Sequence, residues 1–141
     1  MKGSIYILCG VLLIALLFGC PTSGAGGDDD GILMVSCTNM AVGNGHRLAV
    51  VVLDGVNPVA WTNPATGIVV FGEATVDLMD AAMQPWEGEG GKQYTLLVAI
   101  DMDDDNVIGG DAGDYDVVPN PTVTINGDIA VTFDDTNFVQ Q

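Results

Sequence analysis

Short apolar runs with a two-residue period are the feature of this sequence that most limits the fold it can adopt. In residues 93–100 the side chains of Tyr94, Leu96, Val98 and Ile100 fall on one face of an extended chain, because successive side chains of a strand point to opposite sides. Similar runs recur between clusters of Gly, Asn, Pro and Asp, which favour turns. The pattern predicts an all-β domain.

The number and spacing of these runs predict an antiparallel β-sandwich of about seven to nine short strands. Residues 47–53 and 93–100 are expected at its middle, since Val50 to Leu53 are apolar on both faces of the chain. The layout resembles immunoglobulin-like or transthyretin-like modules. The candidate strands are residues 32–37, 47–53, 58–61, 67–71, 74–78, 93–100, 115–118, 122–126 and 128–133.

Two local signals add detail to the sandwich. Asn126-Gly127 lies between two alternating runs and predicts a two-residue type I′ hairpin. The one helical candidate is residues 77–84, and Pro85 would end it.

The amino terminus has the zones of a secretory signal. Met1 and Lys2 precede an uncharged apolar run over residues 5–18, which is shorter than the roughly 20 residues that span a bilayer. The stretch Leu17-Phe18-Gly19-Cys20 resembles the lipobox of bacterial lipoproteins, with Leu three positions before the cysteine and a small residue directly before it. The resemblance implies cleavage before Cys20, a diacylglycerol on its sulfur, and anchoring to a bacterial membrane on the extracytoplasmic side.

This interpretation divides the chain into three parts. Residues 1–19 are the signal peptide, expected as a helix, residues 20–31 are the lipidated cysteine with a flexible glycine-rich linker, and residues 32–141 are the sandwich domain. Two alternatives are an ordinary signal peptide with an incidental cysteine and a short anchor that is never cut.

The charge of the mature chain limits its partners. Cleavage before Cys20 leaves Arg47 and Lys92 against 19 acidic residues, a net charge of −17. Nucleic acid and anionic lipid surfaces carry the same sign, so we expect no nucleic-acid partner. Cys37 is then the one cysteine that is neither removed with the signal peptide nor lipidated. Its spacing from Leu33 and Val35 predicts a buried structural thiol.

The segment that carries chemistry is residues 101–116, DMDDDNVIGGDAGDYD, with seven carboxylates. Carboxylates this close repel one another, at about 4 kcal/mol per pair for a 4 Å separation and an effective dielectric constant of 20. A folded domain tolerates them if they splay into water or share a cation. Ca²⁺ takes six to eight oxygen ligands at about 2.3–2.6 Å, and alternating aspartates in a tight loop can aim several at one point.

The segment resembles the calcium loops of EF-hand, dockerin and thrombospondin type 3 proteins. The resemblance implies that Asp101, Asp103 and Asp105 are ligands, that Val107 offers its carbonyl and that Ile108 points into the fold. Ala112 stands where those families place an acid, so Asp111 or Asp114 must substitute. The alternatives to Ca²⁺ are Mg²⁺ or another hard cation, and a solvated acidic loop without specific metal.

Two tryptophans are candidates for binding a ligand. Trp86 lies in a glycine-rich stretch before residues 93–100, and Trp61 lies in a candidate strand. An exposed indole can stack on a sugar or anchor a partner. The alternative for each is that it caps the core of the sandwich.

The expected function is therefore binding or structural, at the cell envelope. The first hypothesis is a calcium-stabilised module that binds an envelope protein or glycan. The second is a structural component that assembles with copies of itself and needs no specific metal. A hydrolase subunit is the third, but the sequence has one histidine, no G-x-S-x-G and no H-E-x-x-H, so no enzymatic activity is expected.

The lipid anchor can be tested with Cys20→Ala in the full chain. Because Cys20 would carry the lipid, we expect the variant to lose labelling by a palmitate analogue and to leave the membrane fraction. Cys37→Ala is the matched control and should label as the wild type does. Labelling and membrane partition that survive Cys20→Ala would exclude the lipoprotein interpretation.

Overall fold

The computed structural model describes residues 29–105, 108 and 113–141. The predicted signal helix, Cys20 and residues 21–28 of the predicted linker lie outside this part of the chain. Among the residues that are described, no helix is long and apolar enough to cross a membrane. The described strands are β1 (Leu33–Thr38), β2 (Arg47–Asp54), β3 (Asn57–Thr62), β4 (Ala74–Val76), β5 (Leu78–Met79), β6 (Gln93–Asp101), β7 (Tyr115–Val117), β8 (Thr122–Thr124), β9 (Ile129–Asp134) and β10 (Phe138–Gln140).

These ten strands form two sheets that pack face to face, which confirms the all-β sandwich. The smaller sheet has three strands in the order β4-β1-β9. The larger sheet has seven, in the order β10-β7-β6-β2-β3-β5 with β8 also paired to β6. The strand count is slightly higher than predicted, partly because β10 was not foreseen. Only Phe138 of its three residues is buried, so its sequence carries little alternation.

The core lies between the sheets, and β2 and β6 form its centre, as predicted. They pair antiparallel from Arg47 opposite Asp101 to Leu53 opposite Thr95. Their inward-facing residues are opposite one another and are almost fully buried: Leu48 with Ile100, Val50 with Val98, and Val52 with Leu96. From the smaller sheet, Leu33, Val35 and Cys37 on β1 close the core.

One strand pair and one predicted turn differ from expectation. The hairpin predicted at Asn126-Gly127 is wrong, because β8 pairs with β6 in the larger sheet while β9 pairs with β1 in the smaller one. The chain crosses between the sheets there and is held by backbone bonds to the incoming amino-terminal segment, from Gly127 N to Asp29 O (2.7 Å) and from Ile129 N to Ile32 O (2.9 Å). As a result β9 runs parallel to β1, whereas the other strand pairs are antiparallel.

Residues 67–84 also depart from the predicted elements. Residues 67–71 make isolated bridges instead of a strand, through Ile68 with Arg47 and Val70 with Glu73. The predicted strand 74–78 is divided at Asp77, so that β4 joins the smaller sheet and β5 the larger.

The helix predicted at 77–84 is absent. In its place the Asp80 carboxylate accepts hydrogen bonds from the backbone N–H groups of Ala82 and Gln84, which closes a turn. Such local side-chain bonds compete with a short helix.

The position of the core predicts unequal effects at two adjacent leucines of β6. Leu96 faces the core and is fully buried, whereas Leu97 points to the opposite face and is half-buried. Leu96→Ala should lower the free energy of unfolding by about 2–5 kcal/mol, because it removes buried methyl groups and leaves a cavity. Leu97→Ala is the matched control and should cost less than half as much, measured by urea denaturation. Equal losses would contradict the assignment of the two faces.

Candidate metal centre

The end of β6 and the start of β7 bring two buried aspartates together. In this antiparallel pair, Ala99 lies opposite Asp116 and Ile100 lies opposite Tyr115. One step further along the same register places Asp101 beside Asp114, although thirteen positions separate them in the sequence. Both side chains are shielded from solvent, with Asp101 only 1% and Asp114 only 2% exposed.

Asp103 completes a group of three carboxylates. One ligand oxygen from each of Asp101, Asp103 and Asp114 lies within 4.8 Å of the others. Asp103 is exposed, so the group is buried on one side and reaches solvent on the other. The structure therefore unites two aspartates of the D-x-D-x-D motif with one of the two acids that were candidates to close the loop.

Backbone donors hold these side chains in place. The N–H of Met102 donates to Asp114 Oδ1 at 2.8 Å, and the N–H of Asp105 donates to Asp103 Oδ1 at 3.2 Å. Asp104 adopts a φ of 60°, a left-handed conformation that aspartate tolerates better than most residues. The loop after β6 thus turns tightly enough to bring Asp103 back over the strand end.

Of the other residues predicted for the site, the structure describes Asp105 and Ile108. Asp105 is exposed and does not belong to the group that the described residues form. Val107 and Asp111 lie outside the described residues, so their ligation stays a prediction. Ile108 is half-buried and lines two cavities on the outward face of the larger sheet, one beside Leu97 and one beside Val51.

The spacing of the three carboxylates would allow one metal ion to contact all three. Two oxygens that share one Ca²⁺ at about 2.3–2.6 Å are at most about 5 Å apart, and the observed group lies within 4.8 Å. At that separation two unit charges repel by roughly 3 kcal/mol for an effective dielectric constant of about 20. An oxygen-only donor set suits a hard cation such as Ca²⁺ or Mg²⁺ better than zinc.

Asp114 was harder to identify from sequence than Asp101. Sequence reasoning offered Asp111 and Asp114 equally, because a loop template counts positions along one segment. The signal that distinguishes Asp114 is that it directly precedes β7, the strand that pairs with the end of β6.

The two tryptophans have different environments. Trp86 is 8% exposed and meets the Tyr94 ring edge to face at a centroid distance of 5.2 Å. It therefore caps the core, as the alternative interpretation predicted. Trp61 is half-buried and lines an apolar cavity on the outward face of the larger sheet. Ligand binding by either indole stays a prediction.

Comparisons with protein families, with curated proteins and with solved structures found no match for this chain. The chemistry of the site itself is therefore what supports a function.

Cys37 lies in the core between the two sheets. It is a free thiol on β1, and burial raises its pKa. A thiol with a raised pKa in an apolar environment is a poor nucleophile, because the thiolate is the reactive form. This agrees with the predicted structural role.

The burial of Cys37 predicts slow chemical labelling. In the folded full chain at neutral pH, Cys37 should react with iodoacetamide at least about 100-fold more slowly than in urea, which corresponds to an opening free energy of about 2.8 kcal/mol. Peptide mapping assigns the label to this residue. Equal rates with and without urea would show that the thiol is accessible.

Proposed function

We propose that this protein is an extracytoplasmic lipoprotein of the cell envelope whose β-sandwich is a binding module stabilised by Ca²⁺. In this proposal Asp101, Asp103 and Asp114 hold the ion, and lipid on Cys20 tethers the chain to a bacterial membrane. The observation that carries the calcium part is the convergence of three carboxylates within 4.8 Å, two of them buried. The lipobox resemblance supports the tether.

The burial of two of the three carboxylates supports a bound cation. Removing an ionised carboxylate from water is costly unless it is paired or coordinates a metal. Asp101 and Asp114 are buried side by side in a chain of net charge −16, so mutual repulsion adds to this cost. A divalent cation would offset both the cost of burying the carboxylates and the repulsion between them.

The position of the site suggests what the ion does for the fold. Asp101 ends β6 and Asp114 immediately precedes β7, so an ion shared between them would close the connecting loop against the sheet. Three carboxylates supply part of the six to eight oxygens that Ca²⁺ takes. Loop carbonyls, including that of Val107, and water would supply the rest. Extracellular calcium modules often bind at about 10⁻⁴–10⁻³ M, which suits an extracytoplasmic site.

Calcium should raise the stability of the wild-type full chain. At a free calcium concentration of 100 Kd, linkage gives about 2.7 kcal/mol of stabilisation. Thermal melting in calcium, compared with melting in EGTA, measures this increment. Magnesium at the same concentration is the control for metal preference.

Asp→Asn substitutions within the group test whether these carboxylates hold the calcium ion. Asp101→Asn and Asp114→Asn should each lose most of the calcium increment. The calcium increment of each variant is measured against the stability of the same variant in EGTA, so that a change in basal stability does not affect the comparison. Asp105→Asn, in the same loop but outside the group, is the matched control and should keep the increment. A wild-type chain that melts identically in calcium and EGTA would exclude the calcium proposal.

A further inference from the structure

The sandwich is open on the side where the chain passes from the smaller sheet to the larger one at Asp77. β4 pairs with β1 only over residues 35–37 of β1. If that register continued, Leu78 would lie opposite Leu33, but Leu78 belongs to β5 and pairs in the larger sheet instead. The passage of the chain between the sheets therefore leaves a gap between the start of β1 and β5.

A cavity of about 300 Å³ lies in this gap, and we call it the β1–β5 pocket. At about 30 Å³ for each water-sized group, it has room for roughly ten non-hydrogen atoms. Its exposed apolar residues are Ile32, Met34 and Met83, which form the mouth. Its floor is made of buried apolar side chains, among them Leu33, Val76, Leu78 and Trp86. The pocket is therefore an apolar hollow that opens to solvent and suits a small ligand.

Met83 lies at the mouth in a conformation that a methionine seldom adopts. Its φ is 61°, in the left-handed region that non-glycine residues rarely occupy. Asp80 imposes this turn, because its carbonyl accepts from the N–H of Met83 at 3.0 Å and its carboxylate accepts from the N–H groups of Ala82 and Gln84, both at 2.9 Å. Backbone strain of this kind is concentrated at ligand-binding sites, and a thioether side chain adapts to ligands of different shape.

Charge at the mouth determines which ligands the pocket favours. Asp77 is exposed and lines the pocket, and none of the described residues that line it is basic. The ammonium of Lys92 is engaged with Asp54 at 2.8 Å. The guanidinium of Arg47 donates to the carbonyl of Pro64 at 3.2 Å. In a chain of net charge −16, the potential at this mouth attracts a cation and repels an anion.

We propose that the β1–β5 pocket binds a small amphipathic cation, with an apolar body of roughly ten non-hydrogen atoms and one ammonium group. The apolar body fills the cavity against Trp86, and the ammonium stays at the mouth beside the Asp77 carboxylate, where it keeps part of its hydration. This assigns a ligand class to the binding module proposed above, on which the inference rests. The pocket shares no residue with the acidic group at Asp101 or with the predicted lipid anchor.

Fluorescence of Trp86 tests the proposal in the full chain, reconstituted in nanodiscs of zwitterionic lipid. Trp61→Phe leaves Trp86 as the sole tryptophan. Octylammonium should shift its emission to shorter wavelength, because the alkyl chain excludes water from the indole. Octanol and octanoate carry the same chain length with a neutral and an anionic head group. At equal free concentration, octanol should bind at least about threefold more weakly than octylammonium, and octanoate more weakly still.

Asp77→Asn tests the role of charge at the mouth. It should weaken octylammonium binding at least about threefold and leave octanol binding unchanged, because it removes the carboxylate and keeps the shape. Glu73→Gln is the matched control, since Glu73 is exposed at the other end of β4 and lies outside the lining. An equal loss with Glu73→Gln would show that only net charge matters and would overturn the proposed contact with Asp77.

Met83→Gly tests the role of the strained turn. It should weaken binding of both octylammonium and octanol, because it removes an apolar contact at the mouth. The melting temperature should stay unchanged or rise, since glycine adopts positive φ without strain. Unchanged binding by this variant would contradict a role for the turn in holding the ligand.

Thermal melting of the wild-type chain provides a second measurement that needs no substitution. Octylammonium should raise the melting temperature by linkage, in EGTA as well as in calcium, because the pocket does not use the acidic group. A chain that octylammonium stabilises but calcium does not would support this inference and contradict the calcium site. A flat titration with octylammonium in a chain that calcium stabilises would overturn the pocket alone. Equal affinity for octylammonium, octanol and octanoate would overturn the preference for a cation.

Discussion

The antiparallel pairing of β2 with β6 is the constraint on which the rest of the structure depends. Seven residue pairs join the two strands, from Arg47 opposite Asp101 to Leu53 opposite Thr95. Their alternation sends one set of side chains into the core and the other to the outward face of the larger sheet. β3 is added beside β2, whereas β7 and β8 are added beside β6. A slip of one residue in this register would turn every buried side chain outward.

The same register positions the acidic group. Because β6 pairs with β2 from Thr95 to Asp101 and with β7 at Ala99 and Ile100, Asp101 leaves the sheet directly beside Asp114. Lys92 lies at the opposite end of β6 from the acidic group, and its ammonium is 2.8 Å from a carboxylate oxygen of Asp54. The hydrogen bond to Asp54 raises the pKa of Lys92. Lys92 precedes the start of β6 while Asp101 ends it. At the acidic end of β6, Arg47 on β2 lies opposite Asp101 in the register of the two strands.

The resemblance to known calcium loops predicted part of the acidic group but not all of it. It directed attention to Asp101 and Asp103, which do converge with a later acid. It could not rank Asp114 above Asp111, because that choice depends on β7 lying beside β6. For Trp86 the sequence allowed either an exposed binding residue or a cap on the core, and the structure shows that its ring is buried against Tyr94. The turn at Phe71 was not foreseen, because Phe71 has a φ of 53° and is 96% exposed, and an aromatic residue at positive φ contradicts local preference.

The sequence by itself determined the all-β class, the central position of β2, the buried face of β6, and the clustering of acids after residue 100. These follow from period-two alternation and composition, which are properties of neighbouring residues. Only the tertiary structure decided which strands are partners. The Asn126-Gly127 turn has every local feature of a hairpin, yet the chain crosses there between sheets, because β9 buries Phe133 beside β1. Contacts between residues about a hundred positions apart outweighed the turn signal there. The pairing of β6 with β7, which the sequence did not predict, brought Asp114 beside Asp101.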